Sequence, residues 1–176
     1  MEDDTNFINM WLRNPYLWVY AILAILFVLQ LALNVRGLQM QWYQELDTTN
    51  TSSLVGSVTS WIIVYILSFI GFFYLYLNGI VGIVDINFLV AISIIILLLT
   101  IYWDIVFFYQ RDILISFIVY FTVIILTAWF IYIVWLVSPA AALLQIPLLL
   151  RSLYILYQNI ALYLDNPQWT SLRPIF

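Results

Sequence analysis

Residues 113–137 read ILISFIVYFTVIILTAWFIYIVWLV, and none of them carries a charge. An α-helix rises about 1.5 Å per residue, so this stretch is long enough to cross the roughly 30 Å hydrocarbon core of a bilayer. Soluble domains of ordinary composition do not contain apolar stretches of this length. The sequence therefore predicts a transmembrane helix at this position.

Four further apolar stretches accompany this one along the 176-residue chain. Each is bounded by polar or turn residues and is long enough to span a membrane as a helix. The five predicted spans are 15–35, 54–77, 88–109, 113–137 and 140–164. Because the connections after the third and fourth spans are very short, we expect antiparallel neighbours. The expected fold is an all-α membrane protein, a bundle of five transmembrane helices forming a single domain over residues 1–176.

The composition limits the chemistry that this bundle can perform. The chain is 66% hydrophobic and 8% charged, and it contains no Cys and no His. Thiolate nucleophiles, imidazole bases and the usual zinc or haem ligands are therefore absent. Lys is absent as well, so no basic stripe is available to hold a nucleic acid. We expect no metal site, no catalytic residue, no required cofactor and no nucleic-acid partner.

The positions of the arginines predict how the bundle is oriented. With five crossings, Arg36, Arg111 and Arg173 fall on one side of the membrane and Arg13 falls on the other. Cytoplasmic flanks favour Arg and Lys, so we expect the long loop 36–53 and the C-terminus to be cytoplasmic. That polar loop is the candidate lid of the bundle. The same prediction holds for a bacterial cytoplasmic membrane and for the mitochondrial outer membrane or another organelle membrane.

Two ionisable residues fall inside the predicted spans. Arg151 lies near the middle of the fifth span, where an unpaired guanidinium facing lipid would cost several kcal/mol, so we expect it to face the bundle interior. It shares a helical stripe with Tyr154 and Gln158, and both a cavity-lining role and a structural role stay open. Asp104 lies near the end of the third span, either in a pocket or at the interface. Helical rise separates the two depths by roughly 10 Å, so no direct ion pair is assumed.

The third and fifth spans resemble the translocator protein family, also called the tryptophan-rich sensory proteins or TspO/MBR family. Residues 99–108, LTIYWDIVFF, resemble the family signature LNxxWSPxFF, with Trp103, Phe107 and Phe108 in register. Residues 137–159 resemble the family run that begins VSxxAxLL and ends in Asn. The positions in register there are Ser138, Ala141, Leu143, Leu144, Pro147 and Asn159.

Two upstream elements extend the same resemblance. Trp42, Tyr43 and Leu46 reproduce the family element WYxxL at the start of the long loop. Trp61 and Tyr65 reproduce the WxxxY element of the second span. The four elements occur in the family order, so the resemblance covers most of the chain.

The resemblance implies a non-enzymatic binding protein for transport or sensing. Its five-helix pocket would take a flat hydrophobic ligand, either a tetrapyrrole such as a porphyrin or haem, or a sterol. Porphyrin-degrading photochemistry is an activity that the resemblance alone suggests. The bilayer and this ligand are the expected partners, and a homodimer is left open. The expected ligand-binding residues are Trp42, Trp61, Tyr65, Trp103, Phe107, Ala142, Arg151, Tyr154 and Asn159.

The chain also departs from the family pattern. Residues 47–53, DTTNTSS, stand where the family loop carries KPxWxPP, and Arg151 stands where the family has a Trp. Asp104 and Ile105 replace the family Ser-Pro. Two functions of other classes therefore stay open. They are a small proton-coupled transporter or channel that uses Asp104 and Arg151, and a membrane scaffold.

Overall fold

The computed structural model describes residues 15–46, 54–77 and 86–166. These residues form seven α-helices and one π-helical segment. In chain order they are α1 (Pro15–Leu38), α2 (Gln41–Gln44), α3 (Leu54–Leu77), α4 (Ile86–Asp104), the π-segment (Ile105–Gln110), α5 (Ile113–Val137), α6 (Pro139–Leu143) and α7 (Ile146–Asp165).

Five helical stretches in the described ranges are long and apolar enough to cross a membrane. They are Trp18–Leu38, Val55–Leu75, Asn87–Gln110, Ile113–Val137 and Pro139–Asp165. The predicted all-α fold with five transmembrane helices is confirmed, and the protein is an integral multi-pass membrane protein. The predicted span 113–137 coincides with α5. The third span extends beyond its predicted bounds, because α4 and the π-segment continue one another as far as Gln110.

The predicted loop 36–53 is partly helical. Helix α1 continues to Leu38, and Gln41–Gln44 forms the short helix α2. The reason is apolar burial, since Trp42 and Tyr43 of α2 are folded against the bundle with 5% and 7% of their surfaces exposed. Residues 47–53, the rest of the predicted lid, lie outside the described residues, as do Arg13 and Arg173.

Local capping ends one span and starts the next within a few residues. Asp112 caps α5, because its carboxyl accepts a hydrogen bond from the Ile115 amide at 2.9 Å. Ser138 ends α5 and caps α6, since its hydroxyl accepts from the Ala141 amide at 3.3 Å. Pro139 follows in the first turn of α6, where its missing N–H costs nothing. These short turns make α5 an antiparallel neighbour of both α4 and α7.

Helix α5 lies at the centre of the packing and contacts α4, α6 and α7, while α1 packs against α3 and α4. The buried side chains form two clusters. The first surrounds Trp61 and Trp103 and includes α2, and the second surrounds Phe72 and Phe130. Large apolar side chains such as Trp129 remain about half exposed on the outside. In a bilayer, this outer surface faces lipid rather than water.

The alternation of the spans predicts the side on which each turn lies. The natural chain has no Cys, so single-cysteine variants can be labelled without background. Gln39, Gln110 and Ala140 are all exposed and lie at or next to the ends of spans. In sealed vesicles, Gln39→Cys and Gln110→Cys should react with an impermeant maleimide from the same side, and Ala140→Cys from the opposite side. Labelling of all three from one side would mean that α5 does not cross the membrane.

Candidate functional site

An aromatic cluster fills the end of the bundle beneath α2. The ring of Trp103 stacks on Phe107, with centroids 5.2 Å apart and planes 12° apart, and meets the edge of Tyr120 at 4.9 Å. Trp42 contacts the other side of Phe107 at 5.7 Å. A second stacked pair, Trp61 with Tyr65, follows on α3 at 5.3 Å and 23°. The cluster therefore presents flat ring faces to the bundle interior.

The π-segment positions this cluster. Its neighbouring rings Phe107 and Phe108 are both fully buried, and the segment ends at Arg111 in a left-handed conformation with φ of 60°. The Phe108 carbonyl lies in the last turn of the span, where a helix leaves its carbonyls without an intrahelical donor. The Trp42 indole N–H donates to that carbonyl at 2.8 Å. This bond fixes α2 on the end of the third span, and π-segments of this kind are frequent at functional sites.

Gly37 allows α1 to approach the same cluster. A Cβ atom at this position would overlap the ring of Phe108. The absence of a side chain therefore lets the end of α1 lie directly on the aromatic ring.

A chain of hydrogen bonds runs through the bundle next to the aromatic cluster. Arg151 Nη2 donates to Ser57 Oγ at 3.1 Å, and Ser57 Oγ donates to Asn34 Oδ1 at 3.1 Å. Asn34 Nδ2 then donates to Asp104 Oδ1, and Gln30 Nε2 donates to Asp104 Oδ2, both at 3.1 Å. The chain connects α7, α3, α1 and α4. Arg151 and Asp104 are thus linked through two neutral side chains instead of a direct ion pair.

Arg151 is buried and lies between two aromatic rings. Its guanidinium carbon is 5.2 Å from the ring of Trp61 and 5.4 Å from the ring of Tyr154. Contacts of this kind offset part of the cost of burying a cation. Its Nε atom has no hydrogen-bond partner. The predicted interior position of Arg151 is what the structure shows, with 9% of the residue exposed.

A small cavity lies where the aromatic cluster meets the polar chain. Its lining comprises Asn34, Leu38, Tyr43, Ser57, Trp103, Phe107, Phe108, Arg151, Ile155, Gln158, Asn159 and Leu162. Its volume is about 20 Å³, close to the space that one water molecule occupies. A second, apolar cavity of about 40 Å³ lies beside Tyr65 and Phe72. Drug-sized ligands need about 300 Å³ or more, so either cavity must widen to hold one.

The predicted site residues separate into two groups. Trp42, Trp61, Tyr65, Trp103 and Phe107 belong to one buried cluster. Each is within 6 Å of another ring.

The other four predicted residues are placed differently. Arg151 and Asn159 line the small cavity. Ala142 belongs instead to the second cluster, on α6, and is not part of this lining. Tyr154 is 47% exposed, and its hydroxyl accepts a hydrogen bond from Gln158 at 3.2 Å.

The sequence-based prediction missed Gln30, Asn34 and Ser57. All three are buried and form the polar chain. Gln30 and Asn34 are four residues apart in an otherwise apolar helix, which places them on one helical face. That spacing was the available signal for an inward polar stripe on α1.

A comparison with family models matches residues 18–164 to one described as the TspO/MBR family. No curated protein and no solved structure gives a significant match. The predicted resemblance is therefore confirmed at the level of the family.

The polar chain predicts how the protein tolerates substitution of Asp104. Asp104→Leu leaves the amide donors of Gln30 and Asn34 buried and unpaired, at a cost of about 1–3 kcal/mol for each. Asp104→Asn keeps one acceptor, and its new amide can donate to Gln30 Oε1, which has no partner. In thermal unfolding in detergent, Asp104→Leu should lower the unfolding temperature strongly and Asp104→Asn only slightly. Equal losses would mean that these hydrogen bonds do not stabilise the bundle.

The contact of Gly37 with Phe108 predicts that a Gly-to-Ala change in this helix destabilises the protein. In a helix, Ala is favoured over Gly by about 1 kcal/mol. Overpacking against a buried ring costs about 1–3 kcal/mol, so Gly37→Ala should lower the unfolding temperature. When Gly37→Ala is combined with Phe108→Leu, the two losses should be less than additive, because the ring that the methyl meets is gone. Stabilisation by Gly37→Ala alone would contradict the close approach.

Proposed function

The chain belongs to the TspO/MBR family, and on that premise we propose that it binds a flat hydrophobic ligand for transport or sensing. The proposed ligand is a tetrapyrrole such as a porphyrin, or a sterol. Family membership supports a membrane protein of the binding or transport type. The finer proposal is carried by one observation, the buried aromatic cluster that α2 covers and that Arg151 and Asn159 border.

The shape of the cluster suits a flat ligand. The two stacked pairs, Trp103 with Phe107 and Trp61 with Tyr65, present extended ring faces. Aromatic rings favour offset stacking on other planar π-systems and are also apolar enough to contact a sterol. Polar side chains border the rings on one side, at the small cavity lined by Asn34, Ser57, Arg151, Gln158 and Asn159. In pockets for small molecules, polar groups beside an apolar wall fix the orientation of the ligand. The proposal contains no catalytic step, and porphyrin photochemistry and the homodimer stay predictions.

Helix α2 is the proposed gate. It is short, and the Trp42 indole N–H holds it to the Phe108 carbonyl. Since the small cavity measures about 20 Å³, entry of the ligand requires α2 or the adjoining helices to move. We propose that this end of the bundle faces the cytoplasm. Arg36 is exposed near the end of α1, and the guanidinium of Arg111 lies 5.9 Å from the ring of Trp42 at the same end.

A second candidate function is a small proton-coupled transporter or channel. The observation that favours it is the chain of hydrogen bonds that joins Arg151 to Asp104 through Ser57 and Asn34. Proton flux into proteoliposomes distinguishes it from a binding protein. The scaffold function stays a prediction, since no contact in the described part of the chain favours it.

The proposed pocket predicts which aromatic residues contribute to binding. Trp103→Leu and Phe107→Leu remove ring faces but keep the positions apolar, so the affinity for protoporphyrin should fall roughly two- to tenfold for each variant. If the ligand is a sterol, the affinity of both variants for cholesterol should fall as well. Equilibrium titration in detergent, read from the absorbance of the porphyrin, measures the dissociation constant.

A matched control lies on the outer face of α5. Trp129 is 46% exposed, so Trp129→Leu removes a ring that faces lipid. Its affinity for protoporphyrin should equal that of the natural protein. If the control weakens binding as much as Trp103→Leu does, the ligand binds on the outside of the bundle. If neither protoporphyrin nor cholesterol binds saturably, the proposed function is wrong.

A further inference from the structure

The small cavity beneath the aromatic cluster has an unequal supply of hydrogen-bond donors and acceptors. Three buried nitrogen atoms in its lining residues have no partner in the described part of the chain, namely Arg151 Nε, Trp103 Nε1 and Asn159 Nδ2. Each is assigned as an N–H donor. Asn34 and Ser57, two further polar members of the lining, already use their donors and acceptors within the hydrogen-bonded chain. The cavity therefore has unpaired donors that need a hydrogen-bond acceptor.

The charge around the cavity is positive, so it also favours an acceptor. None of the residues that line it is acidic. Within the described ranges, no carboxyl group lies within 4 Å of the Arg151 guanidinium. Asp104, the buried acid closest to it along the hydrogen-bonded chain, is occupied by the amides of Gln30 and Asn34. Among the described residues, the arginine charge is met by the Ser57 hydroxyl and by two ring faces. A buried cation with so few acceptors favours an anion as its partner.

We infer that this cavity receives the carboxylate of an acidic, flat, hydrophobic ligand. The inference rests on the proposed binding function and adds the chemical class of the ligand's polar end. Arg151 Nε offers an unpaired donor to a carboxylate oxygen, and the guanidinium supplies the positive charge that favours the anion, while Nη2 also donates to Ser57. Trp103 donates from its indole N–H, and the stacked rings of Trp103 and Phe107 contact the apolar body.

The cavity of about 20 Å³ is small, so it suits one polar group at the end of a ligand and not the whole ligand. The rest of the ligand would occupy the region of the aromatic cluster once α2 moves. A neutral sterol offers only its hydroxyl oxygen as an acceptor, so it would leave donors of the cavity unpaired and would gain less from Arg151 than a carboxylate does.

The experiment compares protoporphyrin, which carries two carboxylates, with its dimethyl ester, which carries none. Both probes are titrated against the natural protein, Arg151→Met and Trp103→Phe. Arg151→Met keeps much of the side-chain volume but removes the charge. Trp103→Phe keeps a ring at the position and removes the indole donor. Tyr157→Phe is the matched control, since Tyr157 is 55% exposed on the outer face of α7.

The expected result is selective loss of the acid. Arg151→Met should weaken protoporphyrin binding roughly tenfold to a hundredfold, as expected for a lost charge-assisted hydrogen bond. Trp103→Phe should weaken it less. Arg151→Met should leave the affinity for the dimethyl ester within about twofold of the natural value. Trp103→Phe, which also removes part of a ring face, should weaken the acid more than the ester, and Tyr157→Phe should change neither probe. Because the ester reports an intact pocket in the same variant, misfolding cannot imitate this result.

Other outcomes separate the inference from the function on which it rests. Equal weakening of acid and ester in Arg151→Met would overturn the carboxylate site and leave the arginine as a link between helices, with the binding function intact. Failure of both porphyrin probes to bind the natural protein would overturn the carboxylate site, whereas the proposed function is overturned only if cholesterol also fails to bind. Competition by oleate, an acid with a flexible body, identifies the source of the carboxylate. Displacement of protoporphyrin by oleate but not by methyl oleate supports the site and extends it to fatty acids.

Discussion

The fold depends on one constraint, which is that polar groups inside a membrane bundle must find partners within the protein. Lipid offers none, and an unpaired group there costs several kcal/mol. Asp104 meets this constraint with two amides from α1, and Arg151 meets part of it through Ser57. Since Asn34 joins these two halves, one set of hydrogen bonds ties four helices together. Apolar packing alone leaves helix rotation weakly specified in lipid, whereas these bonds select one arrangement.

The aromatic end of the bundle depends on a second polar contact. The last turn of the third span leaves the Phe108 carbonyl available, and the Trp42 indole occupies it. Together with the burial of Trp42 and Tyr43, that bond holds the beginning of a polar loop on the bundle as a helix. The same rings that pack under it border Arg151, so the proposed recognition of a ligand would draw on side chains that also stabilise the fold.

The sequence was sufficient for the architecture because hydropathy reports directly on lipid exposure. The spans, the turns at Asp112 and Ser138 and the interior position of Arg151 were all predictable. The partners of Arg151 were not, because they lie on other helices whose rotation depends on the packing itself. Ala142 was assigned to the pocket from a family element, but α6 places it in the second cluster. Its residue type carries no signal for either location.

The hydrogen bonds between Arg151 and Asp104 all point the same way. The guanidinium donates to Ser57, whose hydroxyl donates to Asn34, whose amide donates to the carboxyl group. Aligned bonds polarise one another, so each is strengthened by the ones beside it. A change of charge at either end therefore alters the bonding at the other, although the two groups never touch. In electrical terms, the bundle contains a dipole laid across its helices, with its positive pole in the cavity.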